Sequence, residues 1–315
     1  MAKIKDKVDN ALNEARMLVL GAQVLVGFQF RSVFEPGYEK LPRHSQYLKL
    51  VGLEVMIIAM LLLILPAAYH RIVEDGEDTQ AMHRFTGRVM DLALLPFALG
   101  LGLDLFVATE KVGGLGAGVV GGICAAVVAL FFWYGLEFIR RPARRPEIKE
   151  KKEKEMEQDK GEDSESTKIT DKIKHLLTEA RVVLPGVQAL LGFQLATMFM
   201  ESFDKLPESS KYIHLASLSL ISLTVVLLIT PAAYHRIVEE GEETRHFHRF
   251  GSRMLLASMV PLALAVSGDL FVVARRVTGD DSFAVILAAT TLVLFYGMWF
   301  GLTTYLRARN PGRTR

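Results

Sequence analysis

Cysteine is almost missing from this 315-residue chain: Cys124 stands alone inside an apolar stretch, so no intrachain disulfide and no thiolate metal cluster can form. Net charge is also small. A formal +2 gives no footprint for nucleic acid, and the basic residues lie beside apolar runs without a compact aromatic-interleaved patch. The chain has no Gly-rich phosphate loop, no nucleophile elbow and no zincin motif, and the intervals between its apolar runs are too short to house a soluble catalytic domain. Strand-like alternation is absent as well, which excludes a barrel. These absences imply no cofactor and lean away from an enzyme.

What the chain has in quantity is apolar surface gathered into long runs. Hydrophobic residues make up 50% against 23% charged, and the charges fall between the runs. Segregation of that kind reads as a membrane protein. A bilayer core about 30 Å thick needs roughly 20 apolar helical residues, and Leu50 to Tyr69 supplies them with Glu54 as the only charge. Backbone groups in lipid must be satisfied within each segment, so the fold class is all-α. The first run begins near Met17 behind a charged leader, with no small-residue cleavage site, and reads as retained.

The sequence repeats itself at an offset of 165. Ala15-Arg16 recurs as Ala180-Arg181, Gly27-Phe28-Gln29 as Gly192-Phe193-Gln194, and Asp104-Leu105-Phe106-Val107 as Asp269-Leu270-Phe271-Val272. The longest match, Pro-Ala-Ala-Tyr-His-Arg-Ile-Val-Glu, fills 66–74 and again 231–239. The predicted architecture is therefore two tandem four-helix membrane units of eight spans in all, 1–140 and 168–315, joined by a charged linker over 141–167. In the first unit the spans fall near 17–34, 46–69, 88–109 and 115–139. In the second they fall near 182–199, 211–234, 253–274 and 282–305. Each unit opens with a leader whose apolar positions, Ile4, Val8, Ala11, Leu12 and Ala15 in the first copy, recur at helical spacing. Such a leader is expected to lie in the bilayer interface.

Orientation follows from Lys and Arg. With the N-terminus cytoplasmic, 28 of the 37 fall on inner segments. Both termini and the linker are thus expected on the cytoplasmic side of the cell membrane. Four spans return the chain to its starting side, so the units are parallel repeats about an axis along the membrane normal. The lipid bilayer is the expected partner, the two units should pack together, and no nucleic acid is expected.

The Leu-Pro-Gly-Val-Gln core of Leu184 to Gln188, together with the Pro-Ala-Ala-Tyr-His-Arg block, resembles a family of small bacterial four-helix membrane proteins classed as a domain of unknown function. The resemblance covers both units and implies a fused tandem whose single-unit relatives pair as dimers. The first copy departs from it in carrying Leu20 where the second has Pro185. The resemblance implies architecture and membrane location only.

Two groups of residues are candidate sites. The first is on the cytoplasmic face, where the Pro-Ala-Ala-Tyr-His-Arg block closes the second and sixth spans. It brings together His70, Arg71, Glu74, His83 and Arg84, with His235, Arg236, Glu239, His248 and Arg249 as second-copy equivalents. One reading is an interfacial anchor, with Tyr at headgroup level and Arg snorkelling to phosphates. Another is a site for an anionic ligand, a lipid headgroup or a partner, held by Arg71, Arg84 and Arg88 with Arg236, Arg249 and Arg253. A metal is disfavoured, since His70 and His83 match no tight zinc spacing and the arginines oppose a cation.

The second group is intramembrane. Ionisable groups in hydrocarbon are costly and need partners, which singles out Asp104 and Asp269, the corresponding acids. A rise of about 1.5 Å per residue puts Gln29 and Asp104 at similar heights near the outer face, and Gln194 and Asp269 likewise, with Arg31 as an extra possible partner. Either a structural hydrogen bond between helices or a proton or cation site fits. Gly114, Gly118 and Gly122 permit close helix approach in the fourth span.

Two function classes follow. One is a non-enzymatic membrane protein, either transport or channel-like or structural. The other is a membrane-embedded enzyme or ligand-binding protein that uses the cytoplasmic His, Arg and Glu groups.

Overall fold

The computed structural model describes residues 4–77, 79–135, 165–237 and 244–309, and among these it contains helices and no strand. The helices are α1 (Ile4–Ser32), α2 (Arg43–Ile72), α3 (Gln80–Leu130), α4 (Glu165–Met198), the short α5 (Glu201–Asp204), α6 (Glu208–Ile237), α7 (Arg245–Thr278), α8 (Asp281–Tyr296) and α9 (Thr303–Arg309). Wider π-type turns continue α3 over Phe131–Gly135 and join α8 to α9 over Gly297–Leu302. Five helical stretches have the length and composition to cross a membrane: Arg43–Ile72, Gln80–Leu130, Glu208–Ala232, Arg245–Thr278 and Asp281–Arg309. Shorter apolar stretches occupy Leu18–Ser32 and Val182–Met198.

Helix α3 is 51 residues long, too long for one straight crossing, and it is interrupted at Gly114, whose φ of 79° and ψ of −179° are not helical. The chain folds back there. Gly122 comes against Gly102, so closely that a Cβ on Gly122 would lie 2.9 Å from the Gly102 carbonyl oxygen. A Cβ on Gly118 would lie 2.8 Å from that of Glu110. Gly114 therefore makes the turn, while Gly118 and Gly122 make the close contact, all within one hairpin. At the position 165 residues on, Gly279 is also left-handed, with φ 71°, and its N–H caps α7 on the Arg275 carbonyl at 2.8 Å. Asp280 then starts α8 by accepting from the N–H groups of Ser282 and Phe283 at 2.8 and 3.1 Å. Thr79 and Thr244, again 165 apart, cap α3 and α7 through their hydroxyls, each at 3.0 Å from the N–H three residues on.

The leaders are parts of longer helices. Each runs without a break into the apolar stretch that follows it, forming α1 and α4, because no Gly or Pro interrupts residues 4–20 or 165–184. Ile173 and Leu176 of the second leader are buried, and Leu176 fills the space above Gly251 of α7. The leader packs on protein.

The core lies along α2, α7 and the seam where α1 meets α4. Leu53, Met56, Ile57, Met60, Leu61 and Ile64 of α2 are each no more than 2% exposed. Leucine and valine side chains on other faces, including Leu92, Val120 and Val293, are 56–68% exposed, an outward apolar surface that suits lipid rather than water. The halves are tied at three levels. Trp299, fully buried, donates from Nε1 to the Leu61 carbonyl at 3.0 Å, and Thr291 Oγ1 donates to Glu54 Oε1 at 3.0 Å. At the far end Arg276 donates from Nε to the Val33 carbonyl at 3.1 Å and lies over the Phe34 ring at 5.2 Å.

Candidate functional site

Two polar clusters stand at opposite ends of the α1–α4 seam. The first is built around the two corresponding aspartates. Gln29 on α1 donates from Nε2 to Asp104 Oδ2 at 2.7 Å, and Lys49 on α2 donates from Nζ to Asp104 Oδ1 at 2.9 Å. In the second copy Gln194 on α4 donates from Nε2 to Asp269 Oδ2, while His214 on α6 sets Nδ1 at 3.3 Å from Asp269 Oδ1. Lys49 and His214 are themselves 165 residues apart, so each copy holds an acid, an amide and a base. Arg31 takes no part in this and pairs with Glu35 at 3.1 Å.

The two sites differ in enclosure. Asp104 and Lys49 are partly open, with side chains 21% and 17% exposed, whereas His214 is fully enclosed and Asp269 nearly so. His214 stacks on Phe30 of the first copy, with ring centroids 5.5 Å apart and planes 9° apart, and meets Phe203 edge-on at 5.2 Å. The imidazole is held at both nitrogens. His214 Nε2 lies 3.2 Å from the Gln194 carbonyl oxygen, which can only accept, so Nε2 carries a hydrogen. His214 Nδ1 faces the Asp269 carboxylate on the other side of the ring.

The second cluster lies at the end of α2. Proline and two alanines leave Tyr69, His70 and Arg71 at the last turn, and all three are buried. In the first copy Arg71 does not snorkel as expected but turns inward, because a carboxylate waits there. Arg71 Nε donates to Glu179 Oε2 on α4 at 2.6 Å, and His70 Nδ1 meets Glu179 Oε1. Arg71 Nη1 also donates to His248 Nε2 at 3.1 Å and to Ser252 Oγ at 3.4 Å. First-copy and second-copy residues thus complete one another. Burial on its own would raise the Glu179 carboxyl, but the Arg71 guanidinium and the His70 ring outweigh burial and hold it at about 2. Gly76, with φ 77°, lets the following loop pass over the cluster, since a Cβ there would fall 2.9 Å from His248 Nε2 and 3.1 Å from Arg71 Nη1.

The remaining cytoplasmic candidates do not converge on this point. Glu74 accepts from the Tyr69 hydroxyl at 3.1 Å, His83 is half-buried, and Arg84, Arg88, Arg249 and Arg253 are exposed. The side chains of His235 and Arg236, and all of Glu239, lie outside the described residues. Glu179 was not among the sequence candidates. Its signal was present, for Glu14 and Glu179 are another pair at offset 165, directly before the matched Ala-Arg. Lys49 and His214 were likewise legible as a basic pair in the same register.

Apolar helices in number and an outward apolar surface define the class: a multi-pass helical membrane protein. The chain belongs to a family of unknown function (DUF6328), whose pattern it matches twice, over residues 2–137 and 162–303. No curated protein and no solved structure matches.

Proposed function

We propose that the chain crosses the membrane eight times as two parallel four-span units, with both termini and the linker in the cytoplasm, and that it is a non-enzymatic transport protein for protons or a small cation. The eight-span count is supported by the reversals at Gly114 and Gly279 and by the apolar stretches Leu18–Ser32 and Val182–Met198 that open each half. Orientation rests on the excess of Lys and Arg on the inner segments.

The transport reading is carried by one observation: each half sets an aspartate between an amide and a base at the same register, Asp104 partly open and Asp269 enclosed with His214 Nδ1 3.3 Å away. Titratable groups enclosed within membrane helices are costly and mark ion and proton paths. A tie between helices needs no acid, since an amide or hydroxyl would serve. The test is the thermal stability of purified protein in detergent against pH and added cations, for wild type and the Asp104→Asn/Asp269→Asn double variant. The reading expects, above the acid range in which Glu179 titrates, a pH or cation dependence in wild type that the double variant loses. An unchanged response would leave the aspartates as helix ties.

A further inference from the structure

The seam between α1 and α4 contains more unsatisfied polarity than a packing interface should. Two cavities lie along it, each with room for about one water molecule. The inner cavity is bounded by Ala15 and Val19 of α1 and by Glu179, Val182 and Val183 of α4. The outer is bounded by Val26, Gly27 and Phe30 of α1 and by Leu190, Gln194 and Asp269. Glu179 lines the first and Asp269 the second.

Between them α1 presents Gln23. It is fully buried, and neither its Nε2 nor its Oε1 has a hydrogen-bond partner among the described residues. Opposite stands Gly186 of α4, where a Cβ would fall only 1.7 Å from Gln23 Oε1. The glycine is what admits the amide. Gln194 Oε1, at the outer cavity, is buried and unpartnered as well. Buried amides without partners weaken a fold, and in this gap a leucine would pack better. Only the first copy does this, for Gln188 at the equivalent position is exposed.

The geometry points to a proton route along this seam, running from the outer Asp269–His214 pair past Gln23 to the inner mouth at Glu179. This rests on the reading of Asp269 as a working ion site and goes on to name the cargo and its path. Glu179 and Gln194 are 15 residues apart on α4, about 22 Å, which is most of the apolar thickness of a bilayer. Protons fit where metal cations do not. A hard cation such as calcium takes about six oxygen ligands or more, and no point on the seam gathers them. Gln23 lines neither cavity, and in this route its amide bridges the gap between them, donating at Nε2 to one water and accepting at Oε1 from another. A proton arriving from outside forms an O–H or N–H bond within the Asp269–His214 pair and breaks one in the donor water. It leaves by the reverse transfer to water in the seam. At Gln23 a proton adds to Oε1 as Nε2 releases one to water beyond, and the imidic acid so formed returns to the amide by proton exchange with water. The released proton emerges beside the buried cluster of Glu179, His70 and Arg71. One proton leaves one side and one reaches the other, with no oxidation, reduction or other co-reactant.

The test uses the full chain in phospholipid vesicles holding a pH-sensitive dye, with a membrane potential set by a potassium gradient and valinomycin. Wild type should acidify the vesicles at least tenfold faster than empty ones. Gln23→Leu should abolish that difference while leaving the melting temperature equal or higher, since it replaces unmet polar atoms with apolar surface. Gly186→Ala, which pushes on the amide from the other side, should cut the flux as well and keeps the test open where the leucine variant does not fold. Asp269→Asn should also lose flux. If Asp269→Asn lost flux while Gln23→Leu and Gly186→Ala kept it, the route would be overturned and the Asp269 site would stand. A wild type no faster than empty vesicles would overturn proton conduction, and the cation dependence of stability would then decide the reading of the aspartates separately.

Discussion

Arg71 closes the second helix of the first copy, yet its Nε lies 2.6 Å from a carboxylate on the leader of the second copy, Glu179, across 108 residues of sequence. Both side chains are buried, so the pair is a join between the repeats, with His70 on the same carboxylate and His248 on the same guanidinium. Removing one partner from such a pair leaves an uncompensated buried charge.

Glu179→Ala should therefore destabilise the chain by about 3–5 kcal/mol in a detergent unfolding measurement. Replacing the cluster together, as Glu179→Leu with Arg71→Met and His70→Phe, should restore most of that loss, because well-packed apolar groups match a buried ion pair. Persistent full instability in the triple variant would show that the ions do more than compensate one another.

The same carboxyl sets a pH dependence. Its value in the folded chain, about 2, lies below that of a free Glu, so its stabilisation is complete above roughly pH 4.5 and fades as pH falls towards 2. Acid unfolding of wild type in that window should be reduced in the triple variant. Parallel acid profiles would remove Glu179 from the account.

The hairpin at Gly114 makes a local prediction with a built-in control. Gly122→Ala should cost about 1–3 kcal/mol, since its Cβ would press on the Gly102 carbonyl and on Phe106. Gly116 has open space around a notional Cβ, and Gly116→Ala should be neutral or stabilising by under about 1 kcal/mol. Equal effects at the two sites would argue against the close helix contact.

Topology is checked by reporter fusions. Those at either terminus or at Glu155 should read cytoplasmic, and those near Lys40, Lys111, Lys205 or Asp280 should read external. An external linker would sink the parallel arrangement. Residues 1–145 and 165–315, expressed as separate chains, should each insert and should co-purify through the Arg71–Glu179 join.

Much of the fold was legible because membrane spans are set by run length and because a repeat at offset 165 reads every element twice. The rise of a helix was enough to bring Gln29 level with Asp104. It was silent on lateral direction, so it offered Arg31, which turns to Glu35 on its own chain segment, and passed over Lys49 on the neighbouring helix. Glu179 was hidden for a different reason. A charged residue on an amphipathic leader reads as facing solvent, and only the continuation of the leader into α4 carries Glu179 against the end of α2. The block ending in His70 and Arg71 read as an interfacial anchor because snorkelling is the usual fate of a terminal arginine. An inward carboxylate reverses that, and its place depends on how the two copies pack.

The proposed role of Asp104 and Asp269 as ion-binding acids is open to infrared difference spectroscopy of the protein in membranes. Spectra recorded between acid and alkaline pH, and with and without sodium, report whether a carboxyl group changes its protonation or its ligand. Wild type should show a carboxyl difference band whose component from the two acids is diminished in Asp269→Asn and lost in the Asp104→Asn/Asp269→Asn double variant. A carboxyl band unchanged in the double variant, or absent from wild type under every condition, would contradict the claim.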